Sequence, residues 1–315
     1  MKSPLISIII PVYNTEGTLA RCVDSALAQT YDNCEVVIVD DGTPDNAGAI
    51  ADDYASRYDN MRVVHKQNAG LAEARRSGVN EAKGDYIIHL DSDDTMLPDA
   101  VEYLLSKCKE HNLDIAYGNY IRINEDGKKN EVCFPDDSMI LTGEEFMMYN
   151  IKPVGICANW GCLAKRELWL NDSIYPPSDT KLPSEDILIN IKISKFVEKV
   201  GLFNHPVCYY YYNSQSLSIT GSLSQLDKWK QYFSIIETEL KSRNLFKKYE
   251  SIFLCMKIES MAFYYNGLDT SDPWVKSIIK DKRFKLPPKS RLLQFLIQYP
   301  RLWEFLRDTK RRIFN

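Results

Sequence analysis

The stretch YIIHLDSDD, from Tyr86 to Asp94, joins a run of apolar residues to three carboxylates. Its apolar part predicts a strand buried on both faces of a parallel sheet. Open α/β sheets bind ligands beyond the carboxyl ends of their strands, which is where Asp91, Asp93 and Asp94 would lie. A divalent cation such as Mg²⁺ or Mn²⁺ would relieve the repulsion among these carboxylates. The alternative is a solvated acidic turn that caps the helix beginning near Pro98.

Strands and helices alternate on both sides of this stretch, from Leu5 to about Leu105. β-branched runs predict strands at Leu5–Val12, Glu35–Asp40 and Met61–His65, and apolar residues recur at helical spacing between them. This alternation predicts an α/β fold with a mostly parallel twisted sheet flanked by helices.

The alternation weakens after Cys108, where further strands are predicted at Asp114–Ile123, Glu131–Phe134, Ile156–Leu163 and Val200–Tyr212. An amphipathic helix is predicted to begin at Ser184-Glu185-Asp186. From about Ser224 onward only helices are predicted. We therefore predict an α/β domain over residues 1–222 and a helical C-terminal extension over residues 223–315.

The composition is that of an ordinary globular protein, with 44% hydrophobic and 26% charged residues among 315. A net charge of −4 argues against nucleic acid as a partner. Eight cysteines without a Cys-x-x-Cys pair indicate reduced, buried thiols. We find no signal peptide and no apolar stretch long enough to span a bilayer, so we expect a cytoplasmic protein.

The last forty residues are basic and contain many apolar and aromatic side chains. This mixture suits a helix that lies on an anionic membrane surface, which would place the protein at the inner face of the membrane. The alternative is a helical appendage docked on the main domain with its charges solvated. Pro287, Pro288 and Pro300 exclude a single long helix.

Polar groups at three strand ends match the needs of a nucleoside diphosphate. Tyr13 offers a ring face, Asp41 an acceptor for a base N–H, Asp91 an acceptor for a ribose hydroxyl and Asp93 a ligand for a metal that bridges two phosphates. Neither the Walker phosphate loop nor the Gly-x-Gly-x-x-Gly fingerprint is present, so a metal rather than a glycine loop would neutralise the phosphates. The alternative for Asp40-Asp41 is a turn with helix capping.

Five motifs in order and at matching spacing carry a family resemblance: Ile8–Asn14, Val39–Thr43, Asn68-Ala69-Gly70 with Ala74-Arg75, Asp91–Asp94 and Glu185-Asp186. Over about the first 220 residues the chain resembles family 2 glycosyltransferases with the GT-A fold, of the bacterial type that builds surface polysaccharides. The resemblance implies an inverting, metal-dependent hexosyltransferase. It would move a sugar from a nucleoside diphosphate sugar, most often a UDP-sugar, to a hydroxyl of a glycan or lipid-linked acceptor.

The resemblance also implies roles for single residues. Pro11, Tyr13 and Asp41 match the base-binding positions, Arg75 a basic position near the donor, and Asp91 the ribose-binding carboxylate. The metal ligand, Mn²⁺ or Mg²⁺ being the cofactor, would be Asp93, Asp94 or both. Asp186 matches the general base, and Ser218 matches the Ser of a closing loop. Apart from the resemblance, Trp160 and Glu185 are candidates for the acceptor or lid side of the site.

The chain departs from the family pattern at two places. Arg76 and Ser77 stand where an Asn is usual, and Asn213 stands where an Arg often precedes the Ser of a closing loop, here Ser218. Gln215 or Lys181 would then have to help close the site.

Each functional interpretation has an alternative. Asp186 would lie in the first turn of a helix, whose positive end favours an ionised carboxylate, but it could be only a favourable first-turn charge. Trp160 could form an acceptor wall or part of the core. For the whole chain, the alternatives are a sugar-nucleotidyltransferase, which should carry a Gly- and Arg-rich loop after its first strand, and a non-catalytic sugar-nucleotide or membrane-binding module.

Overall fold

The computed structural model describes residues 3–152, 158–176, 182–213, 226–263, 269–297 and residue 299. The chain divides into two compact units, the first formed by Met1–Met147 with Cys157–Ser216 and the second by Met148–Ile156 with Leu217–Asn315. The predicted domain boundary at residues 222 and 223 lies outside the described residues, so it stays a prediction. Among the described residues, no helix combines the length and the apolar character that a bilayer span requires.

The first half of unit 1 alternates strands and helices as predicted. Its elements are β1 (Ile6–Val12), α1 (Leu19–Leu27), β2 (Cys34–Asp40), α2 (Ala47–Arg57), β3 (Met61–His65), α3 (Leu71–Glu81) and β4 (Tyr86–His89). Strand β1 pairs in parallel with both β2 and β4, and β2 pairs in parallel with β3. All seven residues of β1 are buried because helices cover both faces of the sheet.

The second half of unit 1 contains both parallel and antiparallel strand pairs. Its elements are β5 (Thr95–Met96), α4 (Ala100–His111), β6 (Ile115–Ile123), β7 (Lys129–Val132), β8 (Ser138–Leu141), β9 (Cys162–Lys165), α6 (Arg166–Trp169), a 3-10 turn (Asp172–Ile174), α7 (Glu185–Ile193) and β10 (Val200–Tyr211), together with the first part of α5 (Gly143–Ile151), whose residues from Met148 onward belong to unit 2. The main path through the sheet runs β3-β2-β1-β4-β9-β6-β10-β5, with β7 on β6 and β8 on β10. Strand β9 runs antiparallel to both of its neighbours, β4 and β6.

The central strand ends at His89, so Asp91, Asp93 and Asp94 lie beyond its carboxyl end as predicted. Some predicted strand bounds were wrong. The strand predicted over Glu131–Phe134 spans Lys129–Val132. The strand predicted over Ile156–Leu163 begins only at Cys162, and Trp160 forms a single bridge with His89. The physical reason is Gly161, whose φ of +73° turns the chain between Trp160 and β9.

A close contact between α3 and the sheet sets the position of that helix. A Cβ on Gly78 would lie 2.4 Å from Cγ2 of Ile9, so only glycine lets the helix approach β1 this closely. Arg75 precedes Gly78 by three residues and is therefore on the same buried face of α3. The close contact brings Arg75 to the carboxyl-end rim of the sheet.

The described part of unit 2 after residue 226 contains four helices, which confirms the predicted helical C-terminal region. They are α8 (Leu226–Ser242), α9 (Phe246–Phe263), α10 (Pro273–Ile279) and α11 (Pro288–Ile297). Asp272 caps α10 by accepting hydrogen bonds from the backbone N–H groups of Trp274 and Val275. Phe233 of α8 contacts Trp274 of α10, which gives the unit an aromatic core.

Candidate functional site

Three residues that are distant in sequence meet at the rim of the sheet. Nη2 of Arg75 lies 2.7 Å from Oδ1 of Asp91, and Nη1 lies 2.8 Å from Oδ1 of Asp186. Asp91 follows β4, and Asp186 stands in the first turn of α7, as predicted. The buried guanidinium therefore joins the predicted ribose-binding carboxylate to the predicted general base.

The guanidinium of Arg75 is protonated. Burial of the side chain lowers its pKa, but the carboxylates of Asp91 and Asp186 outweigh burial, so the pKa is raised overall. Among the described residues, no group donates a hydrogen bond to Oδ2 of Asp186, and 29% of this side chain is exposed. One oxygen of Asp186 is thus fixed by Arg75, and the other accepts no hydrogen bond from the part of the chain that the structure describes.

The neighbouring carboxylates Asp93 and Asp94 differ in environment. Asp94 is only 2% exposed, and its Oδ1 accepts a hydrogen bond from the backbone N–H of Tyr211, while its Oδ2 is buried and has no hydrogen-bonding partner among the described residues. Burial, followed by the charges of Asp91 and Asp93, raises the pKa of Asp94 to about 9. Asp93 is half-buried, and burial followed by the charge of Asp91 raises its pKa as well.

We tested whether these residues suit a divalent metal. Within the described ranges, no group of three or more His, Cys, Asp or Glu side chains is arranged to hold an ion. A magnesium site needs only one or two protein carboxylates when substrate phosphates supply further ligands. Asp93 forms no ion pair with a described residue, and its pKa is raised first by burial and then by the charge of Asp91. Asp93 therefore suits a metal site in which the cation binds together with the phosphates of a substrate.

The predicted base-binding residues lie at the ends of β1 and β2. Pro11 is buried in β1, and the ring of Tyr13, just beyond it, is 51% exposed. Asp41 is 3% exposed and its two oxygens accept hydrogen bonds from Nζ of Lys66 (2.7 Å) and from the backbone N–H groups of Ala69 and Gly70. In this conformation Asp41 holds the loop before α3, and base binding by Asp41 stays a prediction.

Asp40 stabilises a turn, which is one of the two roles that the sequence allowed for it. Its Oδ1 accepts a hydrogen bond from the backbone N–H of Thr43, and its Oδ2 lies 2.8 Å from Nδ1 of His65. Nε2 of His65 lies 3.0 Å from Oδ1 of Asp52. Hydrogen bonds, first to Asp40 and then to Asp52, raise the pKa of His65 against the opposing effect of burial.

Three half-buried rings form a group that we call the aromatic platform: Trp160, Tyr210 and Tyr120. The rings of Trp160 and Tyr210 are parallel within 3°, with centroids 5.6 Å apart, and Tyr120 meets both edge-on. Trp160 and Asp94 line the same narrow cavity. The sequence analysis missed the contribution of Tyr120. The one signal that could have indicated it is the pairing of its strand, β6, with β10, whose end lies in the run of four consecutive tyrosines, Tyr209–Tyr212.

Some of the remaining predicted residues lie within the described ranges and others do not. Glu185 is the first residue of α7, and Asn213 is exposed just beyond β10. Ser218, together with Lys181 and Gln215, lies outside the described residues, so its predicted lid role stays a prediction.

The family model and the relatives found by comparison with known proteins are all glycosyltransferases. The family model described as glycosyl transferase family 2 matches residues 7–166. The uncharacterized glycosyltransferase EpsJ of Bacillus subtilis is 32% identical over 219 residues, which is 68% of this chain and 63% of EpsJ, less than two thirds of that relative. The cholesterol galactosyltransferase of Borreliella burgdorferi is 29% identical over 311 residues, covering 95% of this chain and 84% of the relative.

Solved structures give the fold. The crystal structure of S. aureus TarS 1–349 in complex with UDP-GlcNAc matches with a TM-score of 0.69 over 95% of this chain and 88% of that chain. The identity is only 19%, so the likeness speaks for the architecture alone. It confirms the predicted GT-A fold with C-terminal helices.

Proposed function

The chain belongs to glycosyl transferase family 2, and from this membership we propose that it transfers a sugar from a UDP-sugar to a hydroxyl group with inversion at the anomeric carbon. The observation that carries the proposal is the bridge from Asp91 through Arg75 to Asp186. This bridge ties a carboxylate suited to the donor ribose to a carboxylate suited to act as a base.

The donor would lie along the carboxyl ends of β1, β2 and β4. Tyr13 would stack on the base, Pro11 and Asp41 would border it, and Asp91 would accept a hydrogen bond from the ribose. The similar structure of S. aureus TarS is a complex with UDP-GlcNAc, which supports UDP as the nucleotide. Because Asp41 already accepts hydrogen bonds from Lys66 and the following loop, a base N–H would share or displace one of these bonds.

We assign the metal to Asp93 rather than Asp94. The carboxylate of Asp94 is 2% exposed and hydrogen-bonded to the backbone of Tyr211, whereas Asp93 is more accessible. A bound Mn²⁺ or Mg²⁺ would neutralise charge on the diphosphate leaving group. Asp94 would instead hold the loop of residues 91–94 against the end of β10 through its hydrogen bond from Tyr211.

Asp186 would act as the general base. The acceptor hydroxyl would lose its proton to Oδ2 while its oxygen forms a bond to the anomeric carbon. The bond from that carbon to the phosphate oxygen breaks in the same step, and its electron pair leaves with UDP. A single displacement of this kind inverts the configuration. Arg75 would hold Asp186 in place through Oδ1 and leave Oδ2 for the proton.

The acceptor would be a glycan or a lipid-linked glycan of surface polysaccharide synthesis. The aromatic platform offers ring faces on which a sugar could pack, beside the cavity shared with Asp94. Glu185, next to the base, would border the same acceptor. One relative bears the name cholesterol galactosyltransferase, which supports an acceptor carried by a membrane lipid, and the reaction would then take place at the cytoplasmic face of the membrane.

Family membership argues against the nucleotidyltransferase alternative, and a donor screen tests the remaining non-catalytic alternative. UDP-, GDP- and dTDP-sugars are compared by thermal shift with and without Mn²⁺, since a ligand that binds only the native state raises its apparent stability. We expect UDP-sugars to raise the melting temperature most, and one of them to be hydrolysed slowly when Mn²⁺ is present. Failure of every sugar nucleotide to bind or to release its nucleotide would overturn the proposal.

A further inference from the structure

Helix α11 of unit 2 exposes an apolar stripe. Leu292, Phe295 and Tyr299 are 57%, 50% and 52% exposed. Leu292 and Phe295 are three residues apart and share one side of the helix, and Tyr299 lies two residues beyond its end at Ile297, with its ring centroid 4.9 Å from that of Phe295. The side chains that α11 buries within its own unit are Ser290, Gln294, Leu296 and Ile297. Large apolar side chains grouped on an exposed face mark an interaction site.

Basic residues border this stripe. At 100° per residue, Lys289 and Arg291 fall on opposite edges of the line from Leu292 to Phe295. Lys289 pairs with Glu259, whereas Arg291 forms no ion pair with any described residue. Two further exposed cations, Lys282 and Lys285, precede the helix, and neither is paired within the described part of the chain. We call Lys282, Lys285, Arg291, Leu292, Phe295 and Tyr299 the C-terminal patch.

The sequence around the patch carries a strong charge excess. Residues 276–315 contain twelve Lys and Arg but only three Asp and Glu, a formal charge of +9, although the whole chain is −4. The rest of the chain is therefore acidic, with a formal charge of −13. Two copies of such a patch would repel each other, and residues 300–315 are themselves basic, so neither is a complementary partner.

We propose that the C-terminal patch docks on the surface of an anionic lipid bilayer. Leu292, Phe295 and Tyr299 enter the headgroup region, and Arg291, Lys282 and Lys285 contact lipid phosphates. A basic helix with an apolar aromatic face has the composition that such surfaces bind. The proposed function places the reaction at a membrane, and this inference goes beyond it by naming the surface that contacts the lipid, which includes no residue of the candidate active site.

Vesicle flotation with the full chain tests the proposal. Vesicles of phosphatidylcholine alone are compared with vesicles that contain about one third phosphatidylglycerol, at about 50 mM and about 500 mM NaCl. We expect the bound fraction to be several-fold higher on phosphatidylglycerol vesicles and to fall at high salt. Equal binding to both vesicle types, or no binding to either, would overturn the proposal.

Variants identify the surface. In the double variant Leu292→Ser with Phe295→Ser we expect at least a fivefold lower bound fraction on phosphatidylglycerol vesicles, with an unchanged melting temperature. The matched control is Phe196→Ser in unit 1, where the side chain is 42% exposed, and it should bind like the unmodified chain.

Thermal shift with a UDP-sugar separates this proposal from the proposed function, because donor binding should survive in the double variant. If the double variant binds vesicles normally, or if the apolar stripe instead mediates a concentration-dependent dimer that the variant loses, docking on lipid is wrong.

Discussion

Nη1 of Arg75 lies 2.8 Å from Oδ1 of Asp186, although the two residues are 111 positions apart in the chain. The other arm of the same guanidinium lies 2.7 Å from Asp91. A planar guanidinium can hold two carboxylates at a fixed separation, which a lysine cannot do. Arg75 therefore sets the distance between Asp91 on the donor side of the site and Asp186 on the base side.

Asp186→Asn should abolish transfer and leave donor binding nearly intact. Asparagine keeps the shape and can still accept a hydrogen bond from Arg75, but it cannot take the proton of the acceptor. Loss of a general base typically costs about 10²- to 10⁴-fold in rate. Turnover and UDP-sugar affinity are measured side by side, with Asp172→Asn as an exposed carboxylate control. Turnover close to that of the unmodified enzyme would remove Asp186 from the mechanism.

Arg75→Lys should lower kcat by about 10²-fold, because a lysine cannot hold Asp91 and Asp186 together and a misplaced base loses most of its effect. We expect the Michaelis constant for the donor to change less than kcat. Arg76→Lys is the matched control, since Arg76 pairs with the exposed Asp172 and is 34% exposed. Equal losses in the two variants, or an unchanged kcat in Arg75→Lys with a normal melting temperature, would contradict the positioning role.

Asp93→Asn and Asp94→Asn should separate the metal ligand from its buried neighbour. Asp93→Asn should reduce the Mn²⁺-dependent part of donor affinity at least tenfold, measured by titration calorimetry with and without Mn²⁺. Asp94→Asn keeps an oxygen to accept the hydrogen bond from Tyr211, so it should retain Mn²⁺-dependent binding. The reverse pattern, with Asp94→Asn losing the metal effect and Asp93→Asn keeping it, would reassign the ligand.

Trp160→Leu should impair use of the acceptor and spare the donor. Leucine fills part of the space but removes the ring face that lies parallel to Tyr210. We expect hydrolysis of the UDP-sugar to change less than twofold and transfer to fall about tenfold. The control is Trp274→Leu in unit 2. Parallel losses of hydrolysis and transfer would mean that Trp160 supports the core rather than the acceptor.

The sequence predicts the parallel half of the sheet well because each strand there is a β-branched apolar run between helices. β1, β2 and β3 were found within a residue or two of their predicted bounds. The position of Asp186 in the first turn of a helix was also foreseen. These features are local, and local patterns are what a sequence shows directly.

Features that depend on strand order or register could not be predicted. Nothing in the four residues of β9 indicates that this strand enters the sheet antiparallel between β4 and β6. Register shifts between Phe203 and Cys208 in β10 determine which tyrosines share a face with Tyr120, so the aromatic platform could not be derived. The hydrogen bonds that occupy Asp41 arise from a loop conformation with Gly70 at φ +92°.

His65 should make stability depend on pH. Hydrogen bonds to Asp40 and Asp52 raise its pKa above the ordinary value of 6.5, so the folded state binds a proton more tightly than the unfolded chain does. The stabilisation is therefore complete below about pH 6.5 and is lost as the pH rises through the raised pKa of the folded state. Because the side chain is 51% exposed, solvent weakens the effect.

Urea unfolding at about pH 5.5 and about pH 8.5 measures this contribution. We expect the free energy of unfolding of the unmodified chain to fall more between these pH values than that of His65→Gln. Asp52→Asn, which keeps the bond to Asp40, should give an intermediate difference, because it removes only the negative charge of the partner with the smaller effect on the pKa of His65. If His65→Gln shows the same pH dependence as the unmodified chain, protonation of His65 does not stabilise the fold and the bonds to Asp40 and Asp52 serve the neutral ring equally well.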